Sequence, residues 1–365
     1  MRIGVLTGGG DAPGLNGAIR AVVLRATALG HQAVGIRDGW AGLLAQGSAS
    51  ELGPDDVEGI LSLGGTILGT SRTDPRRTAG SRRDALAGVK RHRLDALVAI
   101  GGNDTLSVAD WLGRRGLGVV GVPKTVDNDL AETEHCIGFD TAVTVVAQAL
   151  DRLRTTASAH HRVMVVEVMG RDTGWVAAVG GLTGGADIIL IPELPRSVAQ
   201  VASLVTRRRA SGHSETVIVA AEGIHMRGLA GVQKDGKRDA FGHVRLDQRG
   251  ICAALASHLE ELTGIEARVV VLGHLQRGGS PTPVDRYWAT RFGSAAIDLI
   301  ASGRYGTLPV ARGDTVAVVP LRSAASVTRR VPADMLELVS RFGGLESPRR
   351  RAGGTSRVRA SSRPP

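Results

Sequence analysis

The amino-acid sequence predicts an α/β fold with mainly parallel sheets, divided into two lobes. Short β-branched runs alternate with longer helical patterns through most of the chain, which is typical of repeated strand–helix–strand units. The chain has 365 residues, and single hydrophobic cores stop growing at about 250 to 300 residues, so we expect two cores. Its 50 glycines exceed the usual share of about 7% and indicate many tight strand-to-helix turns.

The individual elements follow from this alternation. Several of the short runs are apolar on both faces, as strands buried in a parallel sheet are. In chain order, the predicted strands are Arg2 to Leu6, Ala33 to Ile36, Ala96 to Ile100, Gly118 to Val122, Val163 to Val168, Asp187 to Ile191, Val217 to Ala220 and Arg268 to Leu272. The predicted helices are Leu15 to Ala28, Leu106 to Arg114, Thr141 to Ser158, Gly174 to Gly180, Ser197 to Arg209, Arg249 to Leu262 and Val284 to Ala301.

The net charge of +10 does not indicate a nucleic-acid-binding protein. The last 19 residues have almost no apolar content and no acid, so we expect them to be disordered. Aromatic residues make up 3% of the chain, which leaves no stacking platform for bases. Six of the positive charges lie in this tail, at Arg349, Arg350, Arg351, Arg357, Arg359 and Arg363. We therefore expect no nucleic-acid partner.

The sequence also predicts a cytoplasmic protein without a membrane partner. No stretch of about 18 uncharged apolar residues is present, and the N-terminal residues enter a strand directly instead of forming a signal-type segment. The two cysteines, Cys136 and Cys252, are far apart and fit no metal-ligand or redox spacing. We expect both to be reduced and buried.

Two glycine-rich turns predict phosphate binding. Residues 7–16, TGGGDAPGLN, follow the first predicted strand and precede a helix. Residues 100–105, IGGNDT, have the same arrangement after the third predicted strand. Backbone N–H groups and helix N-termini at such turns offer partial positive charge to a phosphate. Because ligands bind at strand C-termini in open α/β sheets, two such turns at one cleft suit a donor with more than one phosphate.

Residues 122–129, VPKTVDND, are the most informative stretch. A proline turn there presents Lys124, Thr125, Asp127 and Asp129 within a few residues. Phosphoryl transfer needs a carboxylate to receive the hydroxyl proton and a divalent cation to neutralise the transferring group. Two aspartates two residues apart can divide these tasks. A solvated turn is the alternative interpretation.

Two further segments place cations near predicted strand ends. Arg171 follows Gly170 after a strand, where a guanidinium can clamp phosphoryl oxygens with two hydrogen bonds. His274 and Arg277 precede a GGSP turn and predict a cradle for a phosphate monoester. Arg171 alone is equally consistent with a structural or solvated residue. A lone histidine is usually structural, but the combination of His274 with Arg277 and the GGSP turn favours a ligand-facing role.

Taken together, these motifs resemble the 6-phosphofructokinase family. GGGDAPGLN, GTSR, GGNDTL, PKTVDND, VEVMGR, AEG and EARVVVLGHLQRGGSP occur in the family's order, over residues 1 to about 305. The resemblance implies two Rossmann-like lobes with an active cleft between them, and phosphorylation of the 1-hydroxyl of fructose 6-phosphate. We expect a phosphoryl-donor lobe at residues 1–137 plus about 276–325. A sugar-phosphate lobe at 138–275 would contain a surface insertion at about 227–247, and the Arg-rich tail spans 346–365.

The resemblance also implies roles for single residues. Asp127 corresponds to the general base and Thr125 lies beside the transferring phosphoryl group, while Arg72 and Arg171 stabilise its charge. The metal would be Mg²⁺, held by Asn103, Asp104 and Asp129. The donor would contact Gly9, Gly10, Gly102, Asp104 and Lys124. The sugar phosphate would contact Met169, Gly170, Glu222, His274 and Arg277, together with Arg162 and Arg268 from a neighbouring subunit, so a homo-oligomer is implied.

Two positions bear on the donor. ATP-using members resemble GGDGS, whose final glycine leaves room for the α-phosphate, whereas this chain has Asp104 there and Lys124 where most have glycine. A carboxylate about 4 Å from an α-phosphate would cost about 4 kcal/mol at an effective dielectric near 20, or roughly a thousandfold in affinity. This pair of residues resembles the pyrophosphate-dependent branch. Asn103 departs from the pattern, because many members carry an acid there.

Several alternatives remain open at this point. The chain could be an ATP-dependent 6-phosphofructokinase in which Asp104 turns away from the donor. It could be a kinase of the related GGDG-type superfamily acting on NAD or a lipid, although the cradle from His274 to Pro281 argues against this. The third alternative is a non-catalytic sugar-phosphate-binding or nucleic-acid-binding protein, against which the presence of Asp127 and Arg171 argues.

Overall fold

A computed structural model describes residues 1–229, 241–242 and 249–344. Most of the predicted insertion and the Arg-rich tail therefore lie outside the described residues. The strands are β1 (Arg2–Thr7), β2 (Gln32–Ile36), β3 (Ala49–Leu52), β4 (Ala96–Gly101), β5 (Gly118–Pro123), β6 (Val163–Val168), β7 (Ile188–Leu190), β8 (Thr216–Ala221), β9 (Ala267–Val271), β10 (Thr307–Arg312) and β11 (Thr315–Pro320).

The helices lie between and after these strands. They are α1 (Leu15–Ala28), α2 (Ala79–Arg91), α3 (Asn103–Gly113), α4 (Phe139–His160), α5 (Trp175–Thr183), α6 (Val198–Ala210), α7 (Ile251–Thr263), α8 (Pro283–Ala301), α9 (Leu321–Ala325) and α10 (Ala333–Phe342). None of the helices in the described part of the chain has the length and apolarity that crossing a bilayer requires.

The first sheet has the strand order β11-β10-β5-β4-β1-β2-β3. β5, β4, β1 and β2 are mutually parallel, whereas β3 and β11 pair antiparallel at the two edges. Apolar side chains cover both faces of this sheet. α1 and α8 contribute Ile19, Phe292 and their neighbours to one core cluster, and α3 and α9 contribute Leu106 and Leu321 to the other.

The second sheet has the order β7-β8-β6-β9, and all of its pairings are parallel. Residues of α4, α5, α6 and α7 pack against it in a separate core cluster. Val339 of α10 belongs to this second core, so the chain returns to the second lobe after α9. The prediction of an α/β fold with mainly parallel sheets in two lobes is confirmed.

The predicted strands are all present, and each of their ends lies within one residue of the prediction. One helix boundary matters for function, because α3 begins at Asn103 and not at Leu106 as predicted. Asn103, Asp104 and Thr105 therefore form the first helical turn. An acidic side chain at this end is favourable because it complements the helix dipole.

Candidate active site

The topology brings the predicted donor and catalytic turns to one edge of the first sheet. β5, β4 and β1 are adjacent and parallel, so their C-terminal ends lie side by side. The turn at Gly8 follows β1, the turn at Gly102 follows β4, and Lys124 follows β5. The strand order changes direction between β1 and β4, which is where open α/β sheets bind ligands.

The second lobe supplies the opposite wall in the same way. Met169 and Arg171 follow β6, Glu222 follows β8, and His274 and Arg277 follow β9. β8 and β9 flank β6 in the second sheet, so these side chains also converge from C-terminal strand ends. The two edges face each other across a cleft.

The cleft has a volume of about 430 Å³, which suits a small ligand pair. Most of the predicted site residues line it. From the first lobe these are Gly9, Gly10, Arg72, Gly102, Asn103, Asp104, Lys124, Thr125, Asp127 and Asp129, and from the second lobe Met169, Arg171, Glu222, His274 and Arg277.

Close backbone approach explains the glycines of the first turn. A Cβ at Gly8 would lie 2.5 Å from Oγ1 of Thr105, and a Cβ at Gly10 would lie 2.7 Å from a guanidinium nitrogen of Arg277. Arg277 also donates a hydrogen bond to the Asp11 carbonyl at 2.8 Å. The first glycine turn is therefore held between α3 and the second lobe.

Lys124 lies beneath the first glycine turn and is 3% exposed. Its Nζ donates hydrogen bonds to the carbonyl oxygens of Gly8, at 2.9 Å, and Gly10. Burial, reinforced by the nearby charge of Arg277, lowers the pKa of Lys124 to about 7. A bound anion would favour its charged form.

Hydrogen bonds hold the turn between Thr125 and Asp129, which is the predicted catalytic turn. Oγ1 of Thr125 accepts a hydrogen bond from the Asp127 amide at 3.1 Å and donates one to Oδ1 of Asp129 at 3.2 Å. Asn128 adopts a left-handed backbone conformation with φ of 49°. Its buried side chain donates to the Glu134 carbonyl and accepts from the Cys136 amide. These bonds fix Asn128 between the two aspartates of the turn.

Burial raises the pKa of Asp127 and of Asp129. At Asp127 the charges of Arg277 and Arg171 oppose this increase. At Asp129 the neighbouring Asp127 adds to the increase. Burial also raises the pKa of Glu222 to about 7, and Asp127 contributes again. The cleft thus holds carboxyl groups poised for proton transfer, a feature that clusters at functional sites.

The oxygen atoms at the first-lobe side of the cleft are suitable ligands for a divalent cation that also binds phosphate. Oδ1 of Asn103 and Oδ1 of Asp127 are buried and have no hydrogen-bond partner within the described residues. No group of three or more His, Cys, Asp or Glu side chains in the described ranges is arranged to hold a metal. Mg²⁺ is usually held by one or two carboxylates together with waters and substrate phosphates, so the oxygens of Asn103, Asp104 and Asp129 suit it.

The wall that the second lobe contributes to the cleft is built around β6. The Met169 amide donates to Oε1 of the buried Gln276 at 3.3 Å, which ties the β6 end to the segment carrying His274 and Arg277. Gly170 does not line the cleft as described, but its φ of 136° and the approach of the Thr173 carbonyl to 2.6 Å of an added Cβ require glycine. Arg171 pairs with its neighbour Asp172 at 2.9 Å.

Arg162 and Arg268 do not line the cleft formed by the described residues. Arg162 immediately precedes β6, and Arg268 lies near the start of β9. Both guanidinium groups pair with Glu266. The single chain therefore leaves these two predicted substrate residues away from its own site.

Sequence reasoning missed several residues that line the cleft. Thr105 and Asp172 are adjacent to predicted residues, and the glycines of both donor turns pack against Thr105, so the motifs contained a signal for it. Phe241 and the four residues Ala325, Ser326, Val327 and Thr328 also line it. No motif in the sequence pointed to these.

Comparison with known proteins gives consistent matches. The model of the phosphofructokinase family matches residues 2–300. The chain is 52% identical over 345 residues to a pyrophosphate–fructose 6-phosphate 1-phosphotransferase from Amycolatopsis methanolica, covering 94% of this chain and 100% of that one. It is also 47% identical over 355 residues to an ATP-dependent 6-phosphofructokinase from Chloroflexus aggregans, covering 94% and 97%.

A solved structure of a pyrophosphate-dependent phosphofructokinase from Marinobacter aquaeolei has the same fold. It superposes with a TM-score of 0.77 and covers 94% of this chain and 91% of that chain. Its sequence identity of 21% supports the fold alone.

Proposed function

Because this chain belongs to the phosphofructokinase family, we propose that it transfers a phosphoryl group reversibly from pyrophosphate to fructose 6-phosphate. The product would be fructose 1,6-bisphosphate, and the reaction would be a step of glycolysis. The observation that carries the proposal is the interlobe cleft, in which Asp127 faces arginines from the second lobe and Asp104 lines the donor side.

We assign the proton transfer to Asp127. Its carboxylate accepts the proton of the 1-hydroxyl while that oxygen attacks the nearer phosphorus of pyrophosphate. The bond from this phosphorus to the bridging oxygen breaks, and orthophosphate leaves. Thr125 orients the turn through its bonds to Asp127 and Asp129. Charge stabilisation by positioned cations supplies most of the catalysis in phosphoryl transfer.

Each of the remaining site residues would bind one of the two substrates. Arg72 and Arg171 would stabilise the transferring group, and the amides of Gly9, Gly10 and Gly102 would cradle the donor. Lys124 supports this cradle from below through the Gly8 and Gly10 carbonyls. The sugar phosphate would be held by Met169, Glu222, His274 and Arg277, with Gly170 shaping the turn between Met169 and Arg171.

The donor assignment rests on Asp104. It occupies the first turn of α3, beside Gly102 and within the cleft lining. A fixed carboxylate there repels the α-phosphate of a nucleotide and fills the space that it needs. Pyrophosphate has no α-phosphate or nucleoside to accommodate. ATP is the second candidate donor, because one relative at 47% identity is named for ATP.

Mg²⁺ is the proposed cofactor. Asn103, Asp104 and Asp129 would hold it together with the phosphates of the donor. When bound, the ion neutralises charge on the transferring group. The neutral amide at Asn103 leaves Asp104 and Asp129 as the charged protein ligands.

We also propose a homo-oligomer. Arg162 and Arg268 do not reach the cleft of their own chain in the described structure, so a second copy would supply them, as the family resemblance implies. The cytoplasm is the proposed compartment. Both cysteines are buried free thiols, as expected where thiols stay reduced.

The test is a side-by-side donor assay. Purified protein is supplied with fructose 6-phosphate and Mg²⁺, and then with either pyrophosphate or ATP, while fructose 1,6-bisphosphate formation is followed. We expect turnover with pyrophosphate and little with ATP. The Asp127→Ser variant from the same host controls for contaminating kinases. Robust ATP turnover without pyrophosphate turnover would overturn the donor assignment.

A further inference from the structure

The segment between α9 and α10, residues 326–332, connects the two lobes across the active cleft; it is called here the crossing segment. α9 belongs to a core of the first lobe through Leu321 and Ala324. Val331 belongs to the core of the second lobe, and its amide donates to Oε1 of Glu193 at 3.3 Å. The crossing segment lies beyond residues 2–300, which the family model matches.

The crossing segment bonds directly to the catalytic turn. The Arg329 amide donates a hydrogen bond to the Asp129 carbonyl at 2.7 Å. Thr328 forms an antiparallel bridge with Leu130, the next residue of the chain. Ser326, Val327 and Thr328 form part of the cleft wall. The backbone of the turn is therefore paired with this segment at the position of Asp129.

The Arg329 side chain adds a second set of bonds to the same turn. One guanidinium nitrogen lies 3.3 Å from the carbonyl oxygen of Asn128 and 3.3 Å from that of Glu134. The guanidinium also lies over the Trp175 ring, 4.1 Å from its centroid. The indole Nε1–H donates to the Arg329 carbonyl at 3.0 Å.

Trp175 provides a fixed support for this arginine. It is the first residue of α5, is 5% exposed and packs edge-on against Phe139. Arg329 is thus held by the second lobe on one side and bonds to the first-lobe turn on the other. A guanidinium can make both contacts because it is planar and carries several donors.

The position of these bonds in the turn is informative. Asn128 lies between Asp127 and Asp129 with φ of 49°, a conformation that non-glycine residues adopt uncommonly. The Arg329 guanidinium donates to the Asn128 carbonyl, and the Arg329 amide donates to the Asp129 carbonyl. These two carbonyls belong to the peptide planes on either side of Asp129, so the contacts fix the backbone that aims the Asp129 carboxylate.

We propose that Arg329, supported by Trp175, is a positioning residue for phosphoryl transfer that sets the direction of the Asp129 carboxylate, on the turn that also carries Asp127. The expected change in kcat rests on the proposed function. Arg329 acts through the turn and need not touch either substrate. Because an error of about 1 Å in a catalytic group can cost about a hundredfold in rate, removing the side chain should slow turnover with little effect on sugar binding.

The experiment compares Arg329→Met with Arg330→Met. Arg330 is the adjacent residue, is exposed, and makes no hydrogen bond or ion pair with the described part of the chain. We measure kcat, the KM values for fructose 6-phosphate and pyrophosphate, and hydrogen exchange of residues 125–134. We expect Arg329→Met to lower kcat by about 10-fold to 100-fold, to change the fructose 6-phosphate KM by less than about twofold, and to lose exchange protection in the turn.

Two further variants sharpen the result. Arg329→Lys keeps the charge over Trp175 but loses the fork of donors, so its kcat should fall between those of wild type and Arg329→Met. Trp175→Phe removes the indole N–H that bonds to the Arg329 carbonyl. Combining it with Arg329→Met should cost less than the product of the two single losses, because both substitutions release the same residue from α5.

The inference is overturned if Arg329→Met matches Arg330→Met in kcat and in exchange, or if it raises KM while leaving kcat unchanged. If Arg329→Met does not fold, Arg329→Lys is judged by the same criteria. A wild-type protein without phosphotransferase activity would contradict the proposed function. Hydrogen exchange of the turn would still decide whether Arg329 holds it.

Discussion

Removing the carboxylate of Asp104 should open the donor site to a nucleoside triphosphate. Asp104 is in the first turn of α3 and lines the cleft. A unit charge about 4 Å from the α-phosphate costs about 4 kcal/mol at an effective dielectric near 20, which corresponds to roughly a thousandfold in affinity. Asp172 raises the pKa of Arg171, with smaller contributions from Asp127 and Asp104, so part of the Asp104 charge is compensated. We therefore expect a gain of about tenfold to a thousandfold for ATP.

Two substitutions of Asp104 separate the effect of its charge from the effect of its volume. Asp104→Asn removes the charge at nearly constant size, whereas Asp104→Gly also removes the side chain. Loss of the acid from the helix N-terminus should cost about 0.3–1 kcal/mol of stability, and glycine about 1 kcal/mol more. Asp110→Asn is the matched control, because Asp110 lies in the same helix and pairs with Arg114 outside the cleft lining.

The assay is kcat/KM for ATP and for pyrophosphate at saturating Mg²⁺, so that weaker metal binding does not mask the effect. We expect kcat/KM for ATP to rise in Asp104→Asn and further in Asp104→Gly, and to stay at the wild-type level in Asp110→Asn. If kcat/KM for ATP stays within about threefold of wild type in both Asp104 variants, the charge and volume of Asp104 do not exclude the nucleotide and the reasoning is refuted.

The remaining predictions concern the proposed base and one buried acid. Asp127→Ser should lower kcat by at least about 10²-fold to 10⁴-fold while calorimetry shows unchanged fructose 6-phosphate binding; unchanged turnover would remove Asp127 from the mechanism. Because burial raises the pKa of Asp127 above its usual value of 3.8, kcat/KM should fall as the base is protonated with decreasing pH, and a profile that is flat down to pH values of about 4 would contradict this. Asp285 accepts hydrogen bonds from the Gly138 and Thr141 amides and from the Thr141 hydroxyl. Asp285→Asn should therefore lower the free energy of unfolding, measured in urea, by about 1–3 kcal/mol. Asp298→Asn, at an exposed position, is the control, and an equal loss of stability in both variants would contradict a stabilising role for Asp285.

Most of the strands that build the site could be predicted because they are buried on both faces, although β9 is partly exposed. β1, β4, β5, β6, β8 and β9 read as apolar runs, and the chemical residues follow each of them directly in the sequence. Parallel pairing then places these residues at common edges. Local sequence was sufficient here because the turns concentrate charged groups, in most cases beside glycines, within a few residues.

Other elements carried weaker signals. α2 is largely polar, with Ala85 and Gly88 as its buried residues, and its start is fixed by a capping box between Thr78 and Ser81. The edge strands β3 and β11 are partly exposed, and β10 contains Pro309. These short segments acquire their structure from pairing with neighbours that are distant in the sequence.

The crossing segment could not be predicted at all. Its contacts join Arg329 to Asp129 and to Trp175, which are far apart along the chain. No motif marks residues whose role depends on tertiary contacts of this kind. The sequence therefore predicts the chemistry of the site better than it predicts what holds the catalytic turn in place.

The reverse reaction tests the donor assignment most directly. Purified protein is mixed with fructose 1,6-bisphosphate, orthophosphate and Mg²⁺, and the phosphorus species are followed by ³¹P NMR. We predict that pyrophosphate and fructose 6-phosphate accumulate together, in equal amounts and without any nucleotide. If pyrophosphate does not form, but ATP forms when ADP replaces orthophosphate, then the account of Asp104 as the group that excludes a nucleotide is contradicted.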